Sequence, residues 1–355
     1  MKAGIVGLPG CGKSTLFDLL SEEAAPRGAA LPPQKPRMRA VKVRDARLDR
    51  LSEDFRPKKT TPIALELFDF PAVEAEGKDR SGMEDLLAPA REMDVLLVVV
   101  RGFRNPAVPG GDVADPAAEL RSVLSELLLA DLSVVERRLE KLEEKSHKPA
   151  FSEGDRRERT LLEELRARLE AERWGLPEGW SAEDSKRVSG FGFLSGKPYL
   201  VALSAETGAV SEELRKGLAA GGAEVVPVAA RSELEIGELP EEDRRAFLEE
   251  YGIREPSRDI VIGALYRAAR RISFFTTSEK EVRAWSLPRG QTAVEAAGTV
   301  HTDFARGFIR AEVVSYEDYV RWGGLKGARE HGVYRTEGRE YVVRDGDIIL
   351  FRFSR

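Results

Sequence analysis

Gly7, Gly12, Lys13 and Ser14 stand in the order Gly-x4-Gly-Lys-Ser inside IVGLPGCGKSTLF, residues 5–17. That spacing suits one task, the cradling of a chain of phosphates. Small residues at positions 10 and 12 let the main chain come close, so the N–H groups of Gly10, Cys11, Gly12, Lys13 and Ser14 face phosphate oxygens, with Thr15 next in the following helix. The Lys13 ammonium reaches the β- and γ-phosphates, and the Ser14 hydroxyl ligates magnesium. A carboxylate is needed to complete the metal's surroundings, and Asp69 supplies it from the end of IALELFDF, residues 63–70. Lys13 and Asp69 are therefore the candidate catalytic residues, and Ser14 and Asp69 the candidate Mg2+ ligands. Cys11 reads as a small loop side chain, since no histidine lies nearby in sequence to activate it.

Such a loop works only between a strand and a helix. AGIV, residues 3–6, is a short apolar run that predicts a buried strand, and KSTLFDLL carries Leu16, Phe17, Leu19 and Leu20 on the inner side of a helix. DVLLVVVRGF (94–103), KPYLVALSAE (197–206) and EVVPVAA (224–230) are further apolar runs of the central parallel-strand type. Strands alternating with helices predict a doubly wound α/β sheet with the nucleotide at its carboxyl edge. From Leu120 to Glu144, Leu128, Leu132, Val135, Leu139 and Leu142 recur at spacings of three and four, and a charged helix follows from Asp155 to Arg173. Together they predict an inserted helical hairpin over 117–175, whose charges read as solvated surface. After a basic amphipathic helix with Arg258, Arg267, Arg270 and Arg271, the residues from Ile272 onward are rich in aromatic and β-branched types, with turn signals PRG and RDGD. This predicts a small, mostly β domain over 273–355, following a nucleotide-binding domain over 1–272.

Composition narrows the field. A chain of 355 residues has length for more than one domain, and its net charge of −5 gives no global case for coating a nucleic acid. Neither DNA nor a membrane is expected as a partner: no apolar run approaches spanning length, and no leader peptide is expected before the glycine loop. Cys11 is the single cysteine, so one chain can build neither a disulfide framework nor a cysteine zinc cluster, and a reducing cytoplasmic setting is expected.

The segment from FFTTSEKEVRAWSLPRGQTAVEAAGTVHTDFARGFIRAEVVSYEDYVRWGGLKGARE to EYVVRDGDIILFRF resembles the carboxyl-terminal TGS domain of the YchF/Obg-like ATPase family. GLPGCGKSTLF, DARLDRL, RPKKTTP, LLLADLSVVERRLEKLE, KPYLVAL and ELPEEDRRAFLEEYGI resemble family segments in the same order, so the resemblance covers nearly the whole chain. It implies a β-grasp-like carboxyl-terminal domain and a cytoplasmic P-loop nucleotidase of the translation-factor class, with ATP or GTP as ligand, Mg2+ as cofactor and the ribosome as partner.

Four departures from the family pattern bear on mechanism. Gly10 and Cys11 stand where family P-loops carry Asn and Val, which puts activation by a monovalent cation in doubt. No Ser or Thr occurs between Ser21 and Ser52, so the switch hydroxyl for magnesium is missing. The family's Asp-x-x-Gly reads Asp69-Phe70-Pro71-Ala72, which predicts a stiffer switch; Val73 after it, where Ras-like enzymes place a water-orienting glutamine, is no departure, since the resemblance implies a hydrophobic residue there too and slow hydrolysis with it. In the base-reading quartet, one alignment gives Leu203-Ser204-Ala205-Glu206 and a one-residue shift offers Ser204 in place of Leu203. Glu206 accepts from an exocyclic amine, and Ala230 and Arg231 are expected near the ring. The expected function is slow ATP or GTP hydrolysis that regulates translation-related contacts. The alternative is a nucleotide-binding interaction protein that hydrolyses little or nothing.

Overall fold

The computed structural model describes residues 1–21, 36–73, 86–108, 111, 113–207, 210–219, 222–253 and 255–354. They divide into two compact units, one of residues 2–39 and 66–261 and the other of Met1, 40–65 and 262–355. Of the stretch between Ser21 and Ser52, where a switch hydroxyl is missing, residues 22–35 lie outside the described residues.

In the first unit, strands Lys2–Gly7 (β1), Val95–Arg101 (β5), Tyr199–Ser204 (β6) and Val225–Val228 (β7) pair in parallel, and β1 also pairs in parallel with Ile63–Asp69 (β4). With Arg37–Val43 (β2), the sheet order is β2-β4-β1-β5-β6-β7. The chain thus places β4 on one side of β1 and β5 on the other, the strand-order reversal beside which α/β proteins bind ligands. Every residue of β5 is buried, as its unbroken apolar run requires. The helix Lys13–Ser21 leaves β1 through the glycine loop and buries Leu16, Phe17 and Leu20.

The inserted hairpin is present as helices Pro116–Ser146 and Glu153–Glu170. Leu128, Val135 and Leu142 of the first pack with Leu161, Leu162, Leu165 and Leu169 of the second, while Leu132 and Leu139 are half-buried at the seam. The helices run antiparallel: Lys145 pairs with Asp155 near the tip (2.7 Å), and Arg138 pairs with Glu158 one step further in (2.6 Å).

The second unit is built on a sheet ordered β11-β10-β12-β8-β9-β3, where β3 is Lys59–Thr61, β8 Arg271–Thr277, β9 Glu281–Pro288, β10 Phe308–Ser315, β11 Arg335–Glu337 and β12 Asp347–Phe353. Pairing is mixed: β8–β9 and β10–β12 are antiparallel, and β12–β8 and β3–β9 are parallel. The helix Ala293–Val300 lays Ala293, Ala296 and Ala297 on a core with Phe274, Leu287, Ala311, Val313 and Ile349. The sheet recruits residues 59–61, which lie far upstream in the RPKKTTP segment, and the DARLDRL helix Ala46–Phe55 packs Leu48 and Leu51 into the same unit's core. Arg47 of that helix binds Asp345 (2.7 Å), tying it to the RDGD turn. No helix among the described residues is long and apolar enough to cross a membrane.

Candidate functional site

At the carboxyl end of β1 the chain enters the loop that the Gly-x4-Gly-Lys-Ser spacing predicts. Gly10 and Gly12 adopt φ of 70° and 96°, the left-handed region where a side chain is strained. A Cβ on Gly12 would come within 2.6 Å of Ser204 Oγ, so glycine there answers both dihedral and space. Leu16 N–H donates to Gly12 C=O at 2.9 Å, so the helix begins within the loop and leaves its first N–H groups without helical partners.

Around this loop lies a cavity of about 760 Å³, contained within the first unit. One end is lined by Gly10, Cys11, Gly12, Lys13, Ser14 and Thr15, and the other by Ser204, Ala205, Glu206 and Thr207 after β6 and Ala230, Arg231 and Ser232 after β7. Of the expected base-side residues, Glu206, Ala230 and Arg231 thus meet the phosphate loop in one space. Leu203 does not. It is 1% exposed and packs in the sheet's core, whereas its neighbour Ser204 lines the cavity, as the one-residue shift offered. The reason is the two-residue period of a strand, which turns adjacent side chains to opposite faces.

The following helix, Glu212–Leu218, is capped by Ser211, whose side chain accepts from Leu214 N–H, so Glu206 is not its cap. Ser232 Oγ donates to the Glu206 carbonyl at 2.9 Å and ties the two base-side loops together. Arg231 is held by Glu235 at 2.9 Å and remains exposed.

Six lining residues escaped the sequence reading: Phe103, Arg104 and Asn105 after β5, Thr207, Ser232 and Tyr251. Asn105 Nδ2 donates to the Gly10 carbonyl at 3.2 Å, bracing the phosphate loop from outside. A signal for the first three existed, since the loop leaving the central apolar strand must open at the sheet's ligand edge. Tyr251 had none, because only the fold returns its helix, Glu241–Glu250, to that edge.

Asp69 ends β4 beside the loop at 6% exposure. Ser14 Oγ donates to Asp69 Oδ2 at 3.2 Å, while Asp69 Oδ1 is buried with no partner among the described residues. A hydroxyl and a carboxylate are the oxygen donors that magnesium takes from such proteins, and their separation is close to the ~2.9 Å edge of an octahedron of oxygens about that ion. The pair fits the metal. Arg37, the first residue of β2, also reaches in: Nη2 and Nε donate to Asp69 Oδ2 at 2.6 and 3.1 Å, and Nη1 donates to Asp18 Oδ1 at 3.2 Å. Its guanidinium lies 4.6 Å from the Phe17 ring centroid.

Beyond Asp69 the chain follows the rim of β1: Phe70 N–H donates to the Ile5 carbonyl at 3.1 Å, and Val73 N–H to that of Gly7 at 3.0 Å. Phe70 and Val73 are buried, so Pro71 and Ala72 are held between two anchors. Ala72 is not among the residues with positive φ, which is why alanine is accepted where the family places glycine. Cys11 is buried, and burial pushes its thiol up to about 11, which keeps it neutral and unreactive.

A parallel sheet with its strand-order reversal at the glycine loop, and a cavity running from that loop to the ends of the next two strands, defines a P-loop nucleotide-binding protein. Two family models match: one described as 50S ribosome-binding GTPase over residues 2–137, and YchF-GTPase_C over residues 271–354. The chain is 38% identical over its whole length to the ribosome-binding ATPase YchF of Bacillus subtilis, of which the match covers 99%. It is 36% identical over 99% of its length to that of Escherichia coli O157:H7, again covering 99% of the relative. The YchF GTPase structure from Schizosaccharomyces pombe aligns with a TM-score of 0.78 at 26% identity, covering 99% of this chain and 97% of that one. The chain belongs to the YchF family.

Proposed function

We propose that this chain binds ATP or GTP in the cavity, hydrolyses it slowly, and uses the bound nucleotide to regulate its association with the ribosome in the cytoplasm. The observation that carries the reading is one cavity of about 760 Å³ lined by the Gly10–Thr15 loop together with the Ser204–Thr207 and Ala230–Ser232 loops. Ribosome binding comes from the names of the Bacillus and Escherichia relatives.

In this reading the loop's N–H groups hold the β- and γ-phosphates, and Lys13 holds charge that builds on them during transfer. Mg2+, when bound, neutralises phosphate charge, and Ser14 and Asp69 are the residues that would hold it. Glu206 and Ser204 face the base. No side chain stands ready to orient the attacking water at position 73, because Val73 is wholly buried. Acceleration therefore rests on positioning and phosphate electrostatics, and turnover is slow. That burial also favours the second reading, a nucleotide-dependent interaction protein with negligible hydrolysis.

Single-turnover hydrolysis of ATP and GTP with magnesium separates the two, alongside co-sedimentation with ribosomes in the triphosphate and diphosphate states. Turnover with state-dependent sedimentation is the expected result. Failure to bind either triphosphate would remove both readings.

A further inference from the structure

The surroundings of Asp69 hold more cation than a waiting metal site needs. Three donors, Ser14 Oγ and Arg37 Nε and Nη2, converge on Oδ2, while Oδ1 is sealed from solvent and receives none from the described residues. A carboxylate oxygen has about two in-plane lone-pair directions, so Oδ2 has none left for a metal ion while the guanidinium stays. Oδ1 is no alternative entrance, because it is buried and lies on the oxygen not joined to Ser14. Among the described residues, Arg37 bridges the Asp18 and Asp69 carboxylates and occupies Oδ2 of the latter.

We propose that Arg37 and the nucleotide's divalent cation compete for the Asp69 carboxylate, so that metal binding here is an exchange in which the guanidinium is displaced. The proposal rests on the nucleotide reading above. It accounts for a gap in the sequence: between residues 22 and 51 no serine or threonine is available for the metal, and the described end of that stretch delivers a fixed positive charge to the same place. The exchange has a ready destination for the arginine. Nη1 is already bonded to Asp18, and the Phe17 ring lies beneath the guanidinium, so Arg37 leaving Asp69 keeps a carboxylate and an aromatic face. Ser14 must turn its proton away from Oδ2 in the same event, because a metal takes the hydroxyl's lone pair. In the metal-free protein, Arg37 shields a buried carboxylate that would otherwise be unpaired.

The test is a titration of the full chain with Mn2+, followed by electron paramagnetic resonance, in the presence of a non-hydrolysable ATP analogue. Half-saturating Mn2+ should fall about tenfold or more in Arg37→Gln, which keeps hydrogen-bonding capacity but loses the charge, and should fall less in Arg37→Lys, which keeps the charge but loses the fork. Unchanged half-saturation in Arg37→Gln, with analogue still bound at high metal, would overturn the exchange and leave the nucleotide reading standing. Weaker binding of the analogue by Arg37→Gln in EDTA would also overturn it, by making Arg37 a phosphate ligand. No binding by the unmodified chain at any metal concentration would remove the nucleotide reading and the exchange together. Should Arg37→Gln not fold, the Nε–H resonance of Arg37 in the unmodified protein decides. It must move when Mg2+ is added to the analogue-bound protein and stay in place when EDTA is added instead; a resonance indifferent to metal overturns the proposal.

Discussion

In the proposed reading, the phosphate end of the cavity is lined mainly by six consecutive residues, Gly10 to Thr15, with Phe103, Arg104 and Asn105 beside them; the base end draws on separate loops after β6 and β7, with Tyr251 from a further place in the chain. The first end is mostly main chain, fixed by two glycines in left-handed conformations and braced by Asn105. The second draws on the exposed side chains of Glu206, Thr207 and Arg231, the last 86% exposed, with a tie between loops from Ser232 to the Glu206 carbonyl. Recognition built on backbone N–H groups tolerates change in side chains but not in dihedrals. Recognition built on side chains tolerates the reverse. The phosphate end should therefore supply most of the affinity, and the base end a modest preference.

The largest expected effect follows from removing the Lys13 charge at the phosphate end. Lys13→Ala should weaken triphosphate binding at least a hundredfold, about 3 kcal/mol, without shifting the thermal midpoint, since the ammonium lies outside the core. Calorimetric titration against ATP and GTP checks it, and equal affinities for variant and parent would dissolve the contrast.

Gly12→Ala attacks the backbone instead. With φ at 96° and Ser204 Oγ 2.6 Å from the added Cβ, the variant should lose about 1–3 kcal/mol of stability together with phosphate binding. Adding Ser204→Ala should restore only the steric part. Full recovery of the thermal midpoint in the double variant would mean that the dihedral was never under strain.

At the base end, Glu206→Ala should cost about tenfold, ~1.4 kcal/mol, for ATP or GTP and nothing for inorganic triphosphate. Competition experiments with the three ligands distinguish this from a general loosening, in which all three would weaken alike.

The smallest effect concerns Cys11 and pH. Its folded thiol titrates near 11, mainly because burial disfavours the thiolate, whereas an unfolded cysteine titrates at ~8.5. Between those values the unfolded chain releases a proton that the folded chain keeps, so this residue makes stability fall as pH rises from ~8.5 towards 11. Cys11→Ala should flatten that part of the profile in chemical denaturation measured from pH 8 to 10.5. A slope unchanged by the substitution would show that other groups set it.

Much of the phosphate end was legible in the sequence because it is local. Gly-x4-Gly-Lys-Ser between an apolar run and an amphipathic helix leaves little choice of conformation, and Asp69 followed from its place at a strand's end. The base end was read less well for a physical reason: a one-residue shift in a strand exchanges the two faces of the sheet, and no local signal distinguished Leu203, which entered the core, from Ser204, which lines the cavity. Phe103, Arg104 and Asn105 were missed because their role depends on β5 lying beside both β1 and β6.

By itself the sequence determined what periodicity and dihedral preference can encode: the strands of the parallel sheet, the phosphate loop, the helical hairpin with Leu128, Val135 and Leu142 on its inner face, and the β-rich character of the last eighty or so residues. Only the tertiary structure decided which distant segments share a core. The DARLDRL helix and the strand Lys59–Thr61 lie between two strands of the nucleotide-binding sheet in sequence, yet join the unit of residues 262–355, where Thr61 Oγ1 donates to Glu281 and Arg47 grips Asp345. Arg37 met Asp69 in the same way, across 32 residues of chain. An ion pair or a strand pairing is a property of two segments at once, and neither segment's own pattern names its partner.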